Sequence, residues 1–171
     1  GNCRTRVDVT GKIVSPGFID IHTHSDTCPF SAVFPESKVA QGITLEIVGN
    51  CGVSAVPILP SCQAEQTAYL RKISEIPVPE EAVRDASVQK YAAHVAQTGY
   101  PSHLGTLIGQ GTLRAGIVGF QDRPLTPSEM EQMKFLLDDQ LNQGALGLSL
   151  GLIYPPGSFS PTSELRELAR V

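Results

Sequence analysis

The sequence predicts an α/β fold built on a parallel sheet, and two patterns carry that expectation. Short apolar runs, bounded by Gly and Pro, alternate with stretches that carry helix start and stop signals. The runs lack the in-and-out alternation of a half-exposed sheet, which fits strands covered on both faces. Strands separated by helices run parallel, because a parallel pair needs a crossover connection.

The elements follow in chain order. Val7 to Val14 alternates around a Thr10-Gly11 turn signal and reads as the tail of a small β-element, closed off by Ser15-Pro16-Gly17. Four apolar runs are then candidate strands: Gly17 to His22, Ile43 to Val48, His103 to Gly109 and Ala145 to Leu150. Pro35 to Gln41 reads as a short helix stopped by Gly42. Ser87 to Gln97 begins at a Ser N-cap, sets Val88, Tyr91, Ala92 and Val95 on one face, and ends near Gly99. The clearest helix opens at Thr126-Pro127-Ser128-Glu129, a capping box with Pro at the first helical position. Met130, Met133, Leu137 and Leu141 form its apolar stripe, and Gly144 stops it. Ser160 to Glu164 opens one more helix, and Pro77 to Glu81 reads as an exposed loop rather than an acid/base pair. Four βα units with a fifth barely begun are too few to close an eight-stranded barrel. An open doubly wound sheet is the other architecture. It ordinarily binds ligands at a Gly-rich turn after its first strand, and no GxGxxG follows Phe18-Ile19-Asp20-Ile21.

Composition narrows the function classes. The 171 residues suffice for one domain with a core, and 41% hydrophobic with 18% charged residues argues for a soluble globular chain rather than a disordered one. The net charge is -4 and no Lys/Arg cluster occurs, so nucleic acid and anionic membrane surfaces are poor partners. No apolar run approaches the roughly 20 residues of a membrane helix, and no secretory signal is evident. Cys3, Cys28, Cys51 and Cys62 form no CxxC pair and no disulfide framework, so a reducing, cytoplasmic setting is expected. No internal repeat or low-complexity tract is present.

The chemistry is expected at the C-terminal ends of the first two strands. Residues two apart on a strand face the same side, so His22 and His24 should project together from the end of the first. In a βα barrel that end is the active-site face. Two convergent imidazoles are natural ligands for a divalent transition metal, although two polar loop histidines would look the same in sequence. The second strand runs into Gly49-Asn50-Cys51-Gly52, a sharp turn that sets Cys51 near the histidines. A thiolate there binds zinc strongly, yet a small buried cysteine is the commoner explanation for Cys51 taken alone.

Gly17 to His24 resembles the strand-one signature of the amidohydrolase superfamily. Gly49-Asn50-Cys51-Gly52 after Gln41-Gly42-Ile43-Thr44 resembles one branch of it, the N-acyl-D-amino-acid deacylases or D-aminoacylases. The likeness continues through Gly111 to Arg114, Gln143 to Ser149 and Tyr154-Pro155-Pro156, in order and over nearly the whole chain. The resemblance implies a TIM-like (β/α)8 barrel, of which residues 17–171 would be about the first four βα units, with residues 1–16 ending a small β-domain. It implies zinc-dependent hydrolysis of N-acyl-D-amino acids to a carboxylate and a D-amino acid. His22, His24 and Cys51 match the metal ligands, and Tyr154 matches a tyrosine of the substrate pocket. Zinc would lower the pKa of water towards about 7 and polarise the acyl carbonyl, while a carboxylate moves the proton to the leaving amine. That aspartate and two further histidine ligands are expected beyond Val171, so the chain by itself is expected to be inactive.

Other residues depart from the pattern or compete with it. His94 falls inside a helix and His103 at the start of the third strand, so neither is expected to ligate metal. Gln110 stands where relatives often carry histidine, which puts pocket polarity in doubt. Ser25 and Asp26 follow the histidines and could orient them from behind, but a solvated loop is the expectation; Cys28 could join His22 and His24 on a metal, but the intervening loop argues against it, and Cys3 and Cys62 read as incidental. A cyclic-amide hydrolase of the dihydroorotase or hydantoinase kind is disfavoured, because Ala145 to Tyr154 lacks the lysine those enzymes use. A non-catalytic half-barrel that self-associates through unclosed edges is the remaining alternative.

Overall fold

The computed structural model describes residues 3–31, 36–71 and 86–171. The strands and helices alternate as the sequence predicts. In order they are β1 (Phe18–Asp20), α1 (Glu36–Ala40), β2 (Ile43–Val48), α2 (Gln63–Leu70), α3 (Val88–Thr98), β3 (His103–Thr106), β4 (Ile108–Gly109), α4 (Gln110–Val118), α5 (Pro127–Asn142), β5 (Leu148–Ser149) and α6 (Thr162–Leu168). All strand pairs are parallel: β1-β2-β3 form one sheet and β4-β5 a second. The second continues the first. Leu107 breaks the predicted third strand into β3 and β4, yet its N–H still donates to Val48 O at 2.9 Å, and Leu146 N–H reaches Thr106 O at 2.8 Å.

The helix boundaries follow their caps. The Thr126 hydroxyl accepts from Glu129 N–H while the Glu129 carboxylate accepts from Thr126 N–H, the capping box read from the sequence. Ser87 caps α3, and Gly99 ends it at φ 69°. Helix α6 starts at Thr162 with Pro161 before it; the Ser160 hydroxyl binds Glu164 instead. Two helices, α2 and α4, carry no start signal of the kind used above. Pro77 to Glu81 and Pro35 lie outside the described residues.

The main core joins Val53, Ile58, Tyr69, Leu70, Leu113, Met133, Leu137 and Leu168, so α2, α4, α5 and α6 pack over one side of the strands. The other sheet face is open, contrary to the expectation of strands covered on both faces. By register Ile19 lies beside Leu45, and an added Cβ at Gly105 would touch both Ile47 and Leu146. Ile19 and Leu146 on this face are each 58% exposed. The segment Val7 to Val14 keeps its turn, with Lys12 N–H on Val9 O at 2.9 Å, but forms no strand among the described residues.

Candidate metal centre

The ends of β1 and β2 bring His22, His24 and Cys51 together, each offering one donor atom, all within 4.8 Å of one another. His22 Nε2 lies 3.2 Å from Cys51 Sγ, and the imidazole centroids are 5.8 Å apart. Strand parity does not position the histidines, as the sequence had suggested. Strand β1 stops at Asp20, the chain bends at Ile21 and His22, and both rings sit beyond the ladder. The bend is held by Asp20 Oδ1, which accepts from His22 N–H at 3.2 Å, and by Thr23 N–H on Ile47 O at 3.3 Å.

Cys51 occupies the left-handed region at φ 54°, unusual for a residue with a side chain. The turn around it is closely packed. A Cβ on Gly49 would collide with the Leu107 carbonyl, and one on Gly151 with the Cys51 carbonyl. Ser149 Oγ accepts from Gly52 N–H at 3.0 Å and donates to Gly49 O, while the Tyr154 hydroxyl donates to Cys51 O. The Tyr154 ring is 6.3 Å from that of Tyr69, so β5 and the segment after it brace the cysteine turn from the far side.

His24 is partly buried, and Nδ1 has no hydrogen-bond partner among the described residues. Burial, reinforced by the charges of His22 and Lys38, lowers its pKa. A neutral imidazole with a free lone pair is the form that ligates metal. Two imidazoles and a thiol converging on one point suit zinc or a similar borderline-soft cation.

Behind the histidine segment lies a second polar cluster. Glu46, in the middle of β2, is 0% exposed and accepts from Lys38 Nζ at 2.9 Å, Ser25 Oγ at 2.7 Å, Tyr100 hydroxyl at 3.1 Å and Ser102 Oγ. Lys38 also pairs with Asp20 at 2.8 Å and donates to Thr23 Oγ1. Burial pushes the Glu46 carboxyl up, but the hydrogen bonds from Lys38, Ser102 and Ser25 and the Lys38 charge outweigh it and hold the pKa below its usual value. The sequence reading passed over these residues. The signal was a carboxylate inside an apolar strand, which must find a cation once buried.

Ser25 and Asp26 are not a solvated loop. Both are buried, Asp26 completely, because this segment is folded under the end of β2. Asp26 Oδ1 accepts from Gly49 N–H at 2.8 Å. Burial raises its pKa to about 7 against the opposing backbone N–H groups of Asp26, Gly49 and Ala55.

The remaining candidates lie elsewhere. His94 sits in α3, 3.1 Å from Pro29 O and stacked on Phe30 at 4.7 Å. His103 is exposed at the start of β3. Cys28 is half-buried in a 3-10 turn outside the three-donor group. Gln110 is fully buried, its amide donating to Ser160 Oγ at 2.7 Å and to Glu164 Oε1 at 3.1 Å. It therefore ties the end of β4 to α6, beside the buried Arg114–Glu164 pair. Cys3, Cys28, Cys51 and Cys62 are all free thiols.

No protein-family model matches the chain. It is similar to three curated proteins of Alcaligenes xylosoxydans xylosoxydans: an N-acyl-D-aspartate deacylase (34% identity over 96% of this chain), a D-aminoacylase (33% over 97%) and an N-acyl-D-glutamate deacylase (37% over 97%). The chain spans about a third of the length of each of these relatives, covering 32%, 33% and 32% of them. Among solved structures it is similar to a D-aminoacylase, with TM-score 0.78 and 33% identity over 98% of this chain and 34% of that one. It is also similar to the N-acyl-D-glutamate deacylase of Bordetella bronchiseptica, complexed with zinc and a phosphonate mimic of the tetrahedral intermediate. That match has a TM-score of 0.79 and 35% identity, over 95% of this chain and 33% of the other.

Proposed function

We propose that this chain, related along nearly its whole length to the N-acyl-D-amino-acid deacylases, supplies His22, His24 and Cys51 as zinc ligands for hydrolysis of the amide bond of N-acyl-D-amino acids. The observation that carries the reading is the convergence of three donor atoms of zinc-binding type at the ends of two adjacent parallel strands. A zinc ion held there would supply Lewis acidity towards an acyl carbonyl and towards water. The protein's own part is to hold both imidazoles and the thiol in register and, by burial, to disfavour the charged form of His24. Tyr154 belongs to the substrate pocket on this reading: its half-buried ring stands beside the Cys51 turn.

The reading extends to architecture. Strand order β1-β2-β3, continued by β4-β5, fits the first four strand positions of a TIM-like barrel over residues 17–171, with residues 1–16 ending a small β-domain. The open face bearing Ile19, Ile47 and Leu146 supports it, since further strands would cover those side chains. The same unpaired edges and face support self-association where nothing else covers them. Four free thiols favour a reducing, cytoplasmic setting, and no helix among the described residues is long and apolar enough to cross a membrane.

Metal analysis combined with turnover of N-acetyl-D-methionine, using the gene extended past Val171, tests the proposal. Zinc in the protein as isolated and its loss in Cys51→Ala are the expected results. Undiminished zinc and turnover in Cys51→Ala would overturn the ligand assignment.

A further inference from the structure

The three donors come from two separate turns, so something must register one turn on the other. The bend holding His22 and His24 is tied through Asp20, Thr23 and Ser25 to the Glu46–Lys38 cluster. The cysteine turn is braced by Ser149 and Tyr154, on the side away from the histidines, and Cys51 is in the left-handed region, which costs about 1–2 kcal/mol for a residue with a Cβ. Two buried side chains, Asp26 and Asn50, span the gap, and only Asp26 reaches from the histidine side. Asp26 lies two residues after His24, and Oδ1 takes the N–H of Gly49, two residues before Cys51, at 2.8 Å. Its own backbone is pinned from α3, where the Tyr91 hydroxyl donates to Asp26 O at 2.9 Å. Asn50 adds a neutral strap, its amide donating to Thr23 O at 3.2 Å and Ile47 O at 2.8 Å. Asp26 is 0% exposed and Oδ2 has no hydrogen-bond partner among the described residues. A buried carboxylate with one oxygen unsatisfied is costly for the fold alone, and such costs are commonly retained where function needs the group.

We propose that Asp26 is a positioning residue for the metal centre: its carboxylate locks the Gly49–Cys51 turn onto the His22–His24 segment and so sets the thiol at ligating distance from both imidazoles. This rests on the reading of the three donors as a metal site. Groups that orient ligands from behind typically change metal affinity by about 10–100-fold when removed.

The test uses three variants and two readouts. Asp26→Leu keeps the branched outline and removes both oxygens, Asp26→Ala removes the whole carboxylate, and Asp26→Asn keeps an oxygen for Gly49 N–H. Zinc affinity is measured by competition with a chromophoric chelator, and ligand geometry by the thiolate-to-cobalt charge-transfer band of the cobalt(II)-loaded protein. Asp26→Leu should bind zinc about 10–100-fold more weakly, with a weakened or shifted cobalt band, and Asp26→Asn should restore affinity to within about threefold. Zinc affinity and a cobalt band unchanged in Asp26→Leu would overturn the proposal. So would an Asp26→Asn protein as weak as Asp26→Leu, since the hydrogen bond to Gly49 would then not be the working contact. Failure of both Asp26→Leu and Asp26→Ala to fold, with Asp26→Asn folded, would assign the residue to the fold and overturn the proposal as well. If the unsubstituted protein binds no zinc, the metal reading falls first and this inference with it.

Discussion

Two polar clusters share the ends of β1 and β2, and they are built on opposite principles. Around Glu46 each oxygen of the carboxylate meets donors: Lys38 and Ser25 on one, Tyr100 and Ser102 on the other. Lys38 in turn is shared with Asp20. In the other cluster His22, His24 and Cys51 gather three ligand-type atoms within 4.8 Å, with a single contact between His22 Nε2 and Cys51 Sγ at 3.2 Å, and His24 Nδ1 has no partner among the described residues. Donors matched to acceptors make a closed structural network. Imidazole nitrogens and a thiol gathered with one hydrogen bond among them, and one buried nitrogen unused, keep the capacity to ligate a cation. The comparison teaches how to tell a buried polar brace from a ligand site: by whether the hydrogen-bond accounts within the cluster close.

The largest effect should come from opening the closed cluster. Glu46→Ala leaves the Lys38 ammonium with Asp20 and Thr23 and removes the acceptor shared by the Ser25, Tyr100 and Ser102 hydroxyls, so unfolding free energy should drop by about 3–5 kcal/mol in a denaturant titration. If the variant is as stable as the parent, the brace is not structural and the contrast fails. Next is the ligand cluster. Structural zinc sites are worth about 10–16 kcal/mol over four ligands, or about 3 kcal/mol for each, so Cys51→Ala should weaken zinc binding about 100-fold. Measured without metal, the same variant should unfold within about 1 kcal/mol of the parent, because no buried charge is left unpaired.

The pH dependence sharpens the contrast. The folded-state pKa of Glu46 lies below the ordinary 4.5, so its contribution to stability is present above about pH 4.5 and lost as pH falls through the depressed value. Lys38 is held above the ordinary 10.5: burial pulls it down, but Asp20 and Glu46 outweigh that. Its contribution is complete below pH 10.5 and is lost as pH rises through the raised value. Stability curves of parent and Glu46→Gln should therefore diverge between these limits and converge in acid; parallel curves below pH 4.5 would contradict the assignment. The smallest effect is expected far from both clusters. Thr126→Ala removes one half of the α5 capping box and should cost about 1 kcal/mol by thermal unfolding, with zinc affinity unchanged.

Legibility in the sequence tracked how local each signal was. Strand β2 was read from Ile43 to Val48 as it stands, and α5 from its capping box, because both are specified within a few residues. Helix α4 was hidden because Gln110 to Val118 is buried nearly all round and so has no polar face to mark its period. The break at Leu107 and the shrinkage of the fourth run to Leu148–Ser149 depend on neighbouring strands, which no local pattern reports. In the site, residue types picked out the three candidate donors that the structure brings together, but the reason offered for the convergence of the histidines, strand parity, was wrong: a bend after Asp20 does it.

By itself the sequence determined the alternation of strands and helices, the identity of the three donors and the resemblance that joins them to one kind of hydrolase. These are properties of short segments and of spacing along the chain. Only the tertiary structure decided that Asp26 is buried against Gly49, that Glu46 closes on Lys38, and that Gln110 binds α6 rather than facing an open pocket. Burial and hydrogen-bond partners belong to pairs of residues 23, 8 and 54 positions apart, and a carboxylate in sequence carries no mark of whether water or an amide will meet it.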